Sequence, residues 1–298
     1  MCGIVGLFLK DKSLEPHLGA MLTDMLITMT DRGPDSAGIA IYGGAGDGMA
    51  KVTVQSANPE KDFVDLDKDM GKILGQTVDM QIKSTHAVLE VPIDQATEAR
   101  AAVLQLRPDL KVMSVGDSLE IYKEVGLPKD VAARFDIAKM AGTHGIGHTR
   151  MATESAVTTM GAHPFSTGED QCLVHNGSLS NHNSLRRMLA HEGIFTETMN
   201  DTEVGAAYLT WRMKNGASLG EALEGTLDDL DGFFTFVVGT HDGFGVVRDP
   251  IACKPAVMAE TDQYVAFGSE YRALVNLPGI ETARVWEPEP ATVYFWKH

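Results

Sequence analysis

Positive charge and cysteine are both scarce in this sequence of 298 residues. Lysine and arginine together number 25 against 41 aspartate and glutamate residues, so the formal net charge is −16. That sign opposes phosphate backbones and anionic membrane surfaces, because binding to either depends on protein cations that displace counterions. We therefore expect neither nucleic acid nor a membrane among the partners.

Long apolar runs are missing as well. No window approaches the roughly 20 apolar residues of a membrane-spanning helix. The opening segment MCGIVGLFLK has no basic region ahead of its apolar residues, so it does not resemble a signal peptide. The three cysteines, Cys2, Cys172 and Cys253, cannot all pair, and no CxxC spacing occurs. Free thiols in a reducing cytoplasm are the simplest interpretation, and we expect a cytoplasmic location.

The apolar pattern predicts an α+β fold in one large domain with an insertion. The opening run CGIVGLFL is typical of a buried strand, and the following stripe at i, i+3 and i+4 spacing is typical of a helix. Segments 39–42 and 52–54 are predicted to form a hairpin across the glycine-rich residues 43–48. Later strands and helices show few βαβ crossovers, which favours layered α+β over a doubly wound sheet.

Residues 57–140 differ in character from the rest of the chain. They alternate charged amphipathic helices with short strands, and no catalytic pattern occurs in them. We interpret them as an inserted small α/β lobe with a docking or structural role, within a domain that spans residues 1–298.

Cys2 directly follows the initiator methionine, whose removal is expected when the second residue is small. Removal would leave a thiol and a free α-amine on the same carbon. An unperturbed thiol has a pKa of about 8.5 and an α-amine one of about 7.7–8.0, so proton transfer between such groups is nearly thermoneutral. An N-terminal amine can therefore activate a nucleophile with little pKa tuning. Taken alone, a cysteine in second position is more often a small structural residue.

A series of ordered motifs resembles the class II glutamine amidotransferases, which are N-terminal nucleophile hydrolases. The motifs are MCGIVG at 1–6, RGPDSAG at 32–38, GHTRMAT at 147–153, AHP at 162–164, HNG at 175–177, DTE at 201–203, RDP at 248–250 with KP at 254–255, and SE at 269–270 with AL at 273–274. The resemblance covers about residues 1–56 and 141–298. It implies a four-layer αββα sandwich that carries the inserted lobe.

The resemblance also implies roles for single residues. Cys2 would attack the side-chain amide of glutamine, and the Asn176 amide with the Gly177 backbone N–H would form the oxyanion hole. Glycine permits close approach of the backbone, and one such donor lowers the barrier by roughly 3–4 kcal/mol. The alternative for this dipeptide is a tight turn, and a turn can also present the donors.

Four further residues are assigned to glutamine binding. The planar fork of Arg150 suits the α-carboxylate, and Asp201 suits the α-ammonium. The resemblance places Thr153 near the carboxylate and makes Arg32 the arginine that orders the loop over the site. Surface charges are the alternative for Arg150 and Asp201. His144 and His148 stand four residues apart, but the glycines between them argue against a helix and no third ligand follows, so we assign no metal.

We expect a partner chain to bind the nitrogen acceptor, because no acceptor domain, flavin motif, nucleotide motif or iron–sulfur cysteine set is apparent in this sequence. The sequence is most similar to detached amidotransferase subunits of glutamate synthase-like systems, N-methylglutamate synthase among them. That resemblance implies glutamine as substrate and synthase subunits as partners, which carry FMN and iron–sulfur centres while this chain binds no cofactor itself. A non-catalytic assembly subunit and a free-standing amide hydrolase stay open. Glu154 favours the former, since its carboxylate could compete with substrate for Arg150.

Overall fold

The computed structural model describes residues 2–152 and 156–298. Both helices and strands occur in this part of the chain. None of its helices combines the length and apolar character needed to cross a membrane.

The strands, in chain order, are β1 (Gly3–Leu9), β2 (Ser36–Tyr42), β3 (Met49–Gln55), β4 (Asp79–Lys83), β5 (His86–Pro92), β6 (Lys111–Gly116), β7 (Leu119–Val125), β8 (His144–Arg150), β9 (Phe165–Gly168), β10 (Gln171–Leu179), β11 (Gly232–Gly239), β12 (Gly243–Arg248), β13 (Val257–Glu260), β14 (Tyr264–Gly268), β15 (Arg284–Trp286) and β16 (Thr292–Lys297). The α-helices are α1 (Leu18–Ile27), α2 (Pro59–Asp62), α3 (Leu66–Leu74), α4 (Ala96–Leu106), α5 (Pro128–Arg134), α6 (His182–His191), α7 (Asp201–Lys214) and α8 (Leu219–Asp229).

Two antiparallel sheets stack face to face in the core of the protein. One has the order β15-β13-β14-β1-β8-β2-β7 and the other the order β16-β12-β11-β10-β9. Apolar side chains from both inner faces meet between them, including Ile4 and Ile146 from the first sheet and Val174 and Phe244 from the second. Strands buried on both faces are continuously apolar, as the opening run of the sequence indicated.

Helices cover the outer face of each sheet. The apolar stripe of α1 packs on the first sheet together with α5, whereas α6, α7 and α8 pack on the second. The layers therefore follow the order helix, sheet, sheet, helix, and the predicted α+β class is confirmed.

A third sheet builds a separate lobe beside this core. It has the order β4-β5-β3-β6, and its apolar face packs against α3 and α4. The predicted hairpin of segments 39–42 and 52–54 is wrong, because β2 pairs with β7 and β8 whereas β3 pairs with β5 and β6. Apolar alternation marks both segments as strands but carries no information about the partner of each strand.

The observed bounds of the lobe also differ from those of the predicted insertion at 57–140. Its sheet begins with β3, before residue 57, and ends with β6 at Gly116. The next strand, β7, is the edge of the seven-stranded core sheet, and α5 packs against β2 in the core. Residues 117–140 of the predicted insertion thus contribute to the sandwich.

Candidate active site

Cys2 lies immediately before β1, near the middle of the seven-stranded sheet. Its thiol is free and its side chain half-buried. The next residue, Gly3, lies opposite Thr149 of β8. A Cβ on Gly3 would approach Thr149 Oγ1 to 2.7 Å and Met29 Cβ to 2.8 Å. Glycine is therefore required beside the thiol, because any side chain would push the start of β1 out of place.

Arg32 anchors the backbone of Cys2. Its Nε donates a hydrogen bond of 2.9 Å to the Cys2 carbonyl, and its Nη1 donates one of 2.7 Å to Glu270 Oε1. The hydrogen bond from Arg32 lowers the pKa of Glu270, which keeps this ion pair intact. Arg32 was predicted to bind substrate. In the structure it is buried and holds the backbone of Cys2, while its Nη2 has no hydrogen-bond partner among the described residues.

Asn176 and Gly177 extend from the second sheet toward Cys2. Both lie on β10, and Asn176 Nδ2 is 3.4 Å from the Cys2 carbonyl oxygen, which it approaches as a donor. Gly177 has φ +152°, and a Cβ there would lie 2.0 Å from the Phe233 carbonyl oxygen. Asn176 thus contacts the backbone of Cys2, and the next residue holds a backbone conformation that only glycine adopts without strain.

Arg150 ends β8 next to this point and is buried. The 32–38 motif packs directly on its backbone: a Cβ on Gly33 would lie 2.5 Å from Arg150 N, and Asp35 N donates to the Arg150 carbonyl at 3.1 Å. The guanidinium Nη1 donates to the Ala156 carbonyl at 3.3 Å. The structure therefore places this cation beside the nucleophile strand. Thr153 and Glu154, named above for roles near Arg150, lie outside the described residues.

Asp201 is the first residue of α7. Its Oδ2 accepts a hydrogen bond of 2.9 Å from the backbone N–H of Leu179, two residues after Gly177, and its Oδ1 lies 3.8 Å from His175 Nδ1. The side chain is 24% exposed. One carboxylate oxygen of Asp201 thus holds the end of β10, and the other faces the ring of His175.

Three buried histidines link the motifs, and the sequence assigned them no role beyond motif membership. His163 Nδ1 lies 2.9 Å from His148 Nε2, which lies 3.2 Å from the carbonyl oxygen of His175. Burial lowers the pKa of His148 to about 3 and that of His175 to about 4, so both rings are neutral at pH 7. In the tautomer with its hydrogen on Nε2, His148 donates to the His175 carbonyl, which can only accept, and His163 Nδ1 then faces that nitrogen as an acceptor.

The spacing of His144 and His148 has a structural meaning. Both lie on strand β8, where residues four apart share a face. Their neighbours differ, since His144 Nε2 contacts the Thr240 carbonyl at 2.9 Å and stacks on Tyr42, whereas His148 contacts His163 and His175. The pair therefore fills two separate positions in the layer between the sheets.

Several buried polar atoms at the site make no hydrogen bond to the described part of the protein. They include His175 Nε2, Thr235 Oγ1, Asp249 Oδ1 and Arg32 Nη2. Thr235 lies opposite both Asn176 and Arg248 in the sheet, and Asp249 follows Arg248. Because buried polar groups in proteins nearly always have a partner, such atoms indicate where a polar ligand or water binds.

Two carboxylates and a histidine form a group that could hold a metal ion, away from Cys2, where the lobe meets the core. Asp117, Asp170 and His241 lie within reach of one another. Asp170 already accepts the backbone N–H groups of Asp117, Ser118 and Leu119 at 2.8–2.9 Å. These bonds tie the β9–β10 turn to the β6–β7 turn, which accounts for the cluster as a structural anchor.

A cavity of about 560 Å³ separates the lobe from the core. It is lined by β6 and α4 on one side and by β9 and α7 on the other. None of the predicted site residues contributes to its wall. The chemistry assembled around Cys2 therefore lies outside this cavity.

Comparison with known proteins agrees with this geometry. A family model described as a glutamine amidotransferase domain matches residues 148–276. The Glutamine amidotransferase-like protein GlxB of Rhizobium meliloti (strain 1021) is 72% identical over 298 residues, covering 100% of this chain and 99% of its own. A relative from Methanothermobacter thermautotrophicus, also named for glutamine amidotransferase activity, is 35% identical over 303 residues and covers 98% of both chains.

Solved structures show the same fold in a larger protein. The glutamine phosphoribosylpyrophosphate amidotransferase from B. subtilis aligns with a TM-score of 0.60 at 19% identity, covering 99% of this chain and 47% of that one. At this identity the likeness establishes the fold alone.

Proposed function

Because this chain belongs to the class II glutamine amidotransferases, we propose that it is the glutamine-hydrolysing subunit of a glutamate synthase-like complex. Within that group we favour N-methylglutamate synthase, on the motif resemblance described above. The observation that supports the catalytic part is the contact of the Asn176 amide, on one sheet, with the backbone of Cys2, at the start of the other.

In the proposed reaction, the α-amine of processed Cys2 takes the thiol proton and the sulfur attacks the side-chain carbonyl carbon of glutamine. The carbonyl oxygen becomes an oxyanion that the Asn176 amide and the Gly177 N–H stabilise. Collapse of this intermediate breaks the C–N bond, and the amine returns its proton so that ammonia leaves. Water then attacks the thioester, which releases glutamate and restores the thiol.

Glutamine is held at its other end by charge. Arg150 ends β8, which pairs with β1, and Asp201 begins α7 and accepts a hydrogen bond from Leu179, two residues after Gly177. Their opposite signs match the α-carboxylate and α-ammonium of an amino acid. We assign Arg32 to holding Cys2 in place, because its Nε contacts the Cys2 carbonyl.

A partner chain is proposed because free ammonia is mostly protonated in water and then unreactive. Three apolar side chains are largely exposed, Phe195 by 75%, Met199 by 77% and Ile251 by 64%. Met199 lies two residues before Asp201, and Ile251 donates its backbone N–H to Asp249. We propose that the partner covers these side chains. We propose that FMN and iron–sulfur centres belong to the partner, since three cysteines are fewer than the four that such clusters use.

Two measurements test the catalytic proposal. Purified protein and a Cys2→Ala variant are assayed for ammonia release from glutamine, and we expect release only with Cys2 present. Equal release from both would remove Cys2 from the mechanism. Intact mass of the chain purified from its natural host should show that Met1 has been cleaved, since the proposed base exists only after cleavage.

The alternatives give different outcomes in the same preparations. A non-catalytic assembly subunit would release no ammonia, alone or with its partners. A free-standing amide hydrolase would be fully active without copurifying proteins. The complex predicts copurification with a flavin-bearing partner, and failure to find one in active material from the host would contradict it.

A further inference from the structure

Lys123 is a buried cation with an unusual set of partners. It lies on β7, is 3% exposed, and donates hydrogen bonds to the Ala162 carbonyl at 2.9 Å and the Pro164 carbonyl at 3.1 Å. Its Nζ also lies 4.4 Å from the centre of the Phe165 ring. No carboxylate of the described residues lies within 4.0 Å of it. Burial lowers its pKa to about 8.

The two acceptors of Lys123 flank a single residue, His163. The carbonyl of His163 itself packs on Gly38, which lies opposite Lys123 in the β2–β7 pairing. A Cβ on Gly38 would lie 1.9 Å from the His163 carbonyl oxygen. His163 is therefore fixed from two sides, by hydrogen bonds from Lys123 and by backbone contact with Gly38.

The ring of His163 connects this segment to β10 through His148. It contacts His148 Nε2 at 2.9 Å, and His148 contacts the His175 carbonyl at 3.2 Å. That carbonyl belongs to the peptide bond preceding Asn176. A chain of contacts thus connects Lys123, through His163 and His148, to the part of β10 that contains Asn176 and Gly177.

We propose that Lys123 is a positioning residue for glutamine hydrolysis, which holds the His163–His148 pair and through it the register of Asn176 and Gly177 against Cys2. This rests on the proposed function of the site. Lys123 touches neither substrate nor thiol. Its effect is expected on the step that forms the oxyanion, and glutamine binding through Arg150 and Asp201 should be left intact.

Stability is the competing explanation, and Lys51 offers a matched control for it. Lys51 is also a buried strand lysine, with its Nζ 2.5 Å from the Gly43 carbonyl and 2.6 Å from Glu120. Its partners do not connect to the histidines. Lys51→Met and Lys123→Met should both lower the melting temperature, so a difference in catalysis between them is not a consequence of stability.

The test uses the full chain, with its partners if they copurify. Steady-state ammonia release and the ring-nitrogen NMR signals of the histidines are measured for the wild type, Lys123→Met and Lys51→Met. For Lys123→Met we expect kcat to fall roughly 10- to 100-fold with little change in KM, since small misplacements of catalytic groups have effects of that order. The signals of His148 and His163 should shift in this variant and not in Lys51→Met.

The proposal is overturned if Lys123→Met retains the kcat of Lys51→Met, or if the histidine signals stay in place. Failure of the underlying function is recognised separately. It would appear as an absence of Cys2-dependent ammonia release in the wild-type protein, before any lysine variant is compared.

Discussion

Substitution of Gly177 by alanine is the most direct test of the site geometry. The added Cβ would lie 2.0 Å from the Phe233 carbonyl oxygen, 2.7 Å from His175 Nε2 and 2.8 Å from Phe234 Cα. Two of these three atoms belong to strand backbone, which cannot rotate away as a flexible side chain would. Gly177 must therefore move, and with it the N–H that we assign to the oxyanion.

Gly193 provides the matched control. It also has a positive φ, +78°, but a Cβ there would meet no atom within 4 Å. Gly193→Ala should cost only the conformational strain of about 1–2 kcal/mol. Gly177→Ala adds overpacking of about 1–3 kcal/mol to a similar strain, and its kcat should fall by roughly 10²–10³, the usual effect of losing an oxyanion donor.

The assay is ammonia release as a function of glutamine concentration, with urea unfolding of the same preparations. Asn176→Ala is measured alongside, because it removes a donor without a clash and should lower kcat by a similar factor. If Gly177→Ala and Asn176→Ala both kept kcat within a few-fold of Gly193→Ala, the oxyanion assignment would be refuted.

Three further outcomes follow from the contacts at the site. Arg32→Met should lower kcat at least about tenfold because it releases the Cys2 carbonyl. The control Arg272→Met removes an exposed arginine that pairs with the same glutamate, Glu270. Equal losses of kcat in the two variants would contradict the anchoring role of Arg32. Asp201→Asn should raise KM for glutamine by roughly 10- to 100-fold, and an unchanged KM would exclude contact with the α-ammonium. The free energy of unfolding should fall as pH drops from about 6.5, the unfolded histidine pKa, toward the folded pKa of His148 at about 3, because the unfolded state binds more protons in that window. Equal urea midpoints at pH 7 and pH 4.5 would contradict this.

The candidate site residues could be proposed from the sequence because the chemistry that suggests them is local. A thiol beside a prospective α-amine, an Asn-Gly pair and the surrounding motifs can be recognised from residue type and order alone. The same holds for elements of strong period, such as strand β1 and helix α1. In each case the information is contained in a few neighbouring residues.

Which distant segments pair or contact one another was decided only by the tertiary structure. Segments β2 and β3 are both apolar strands, yet one pairs in the core and the other in the lobe. Arg32 was assigned to substrate, and its place on the Cys2 carbonyl depends on packing across the first sheet. The path from Lys123 through His163 and His148 joins β7, the 162–164 segment, β8 and β10. Apolar periodicity determines which residues are buried, whereas strand register and close packing determine which buried groups meet, and these depend on the whole chain at once.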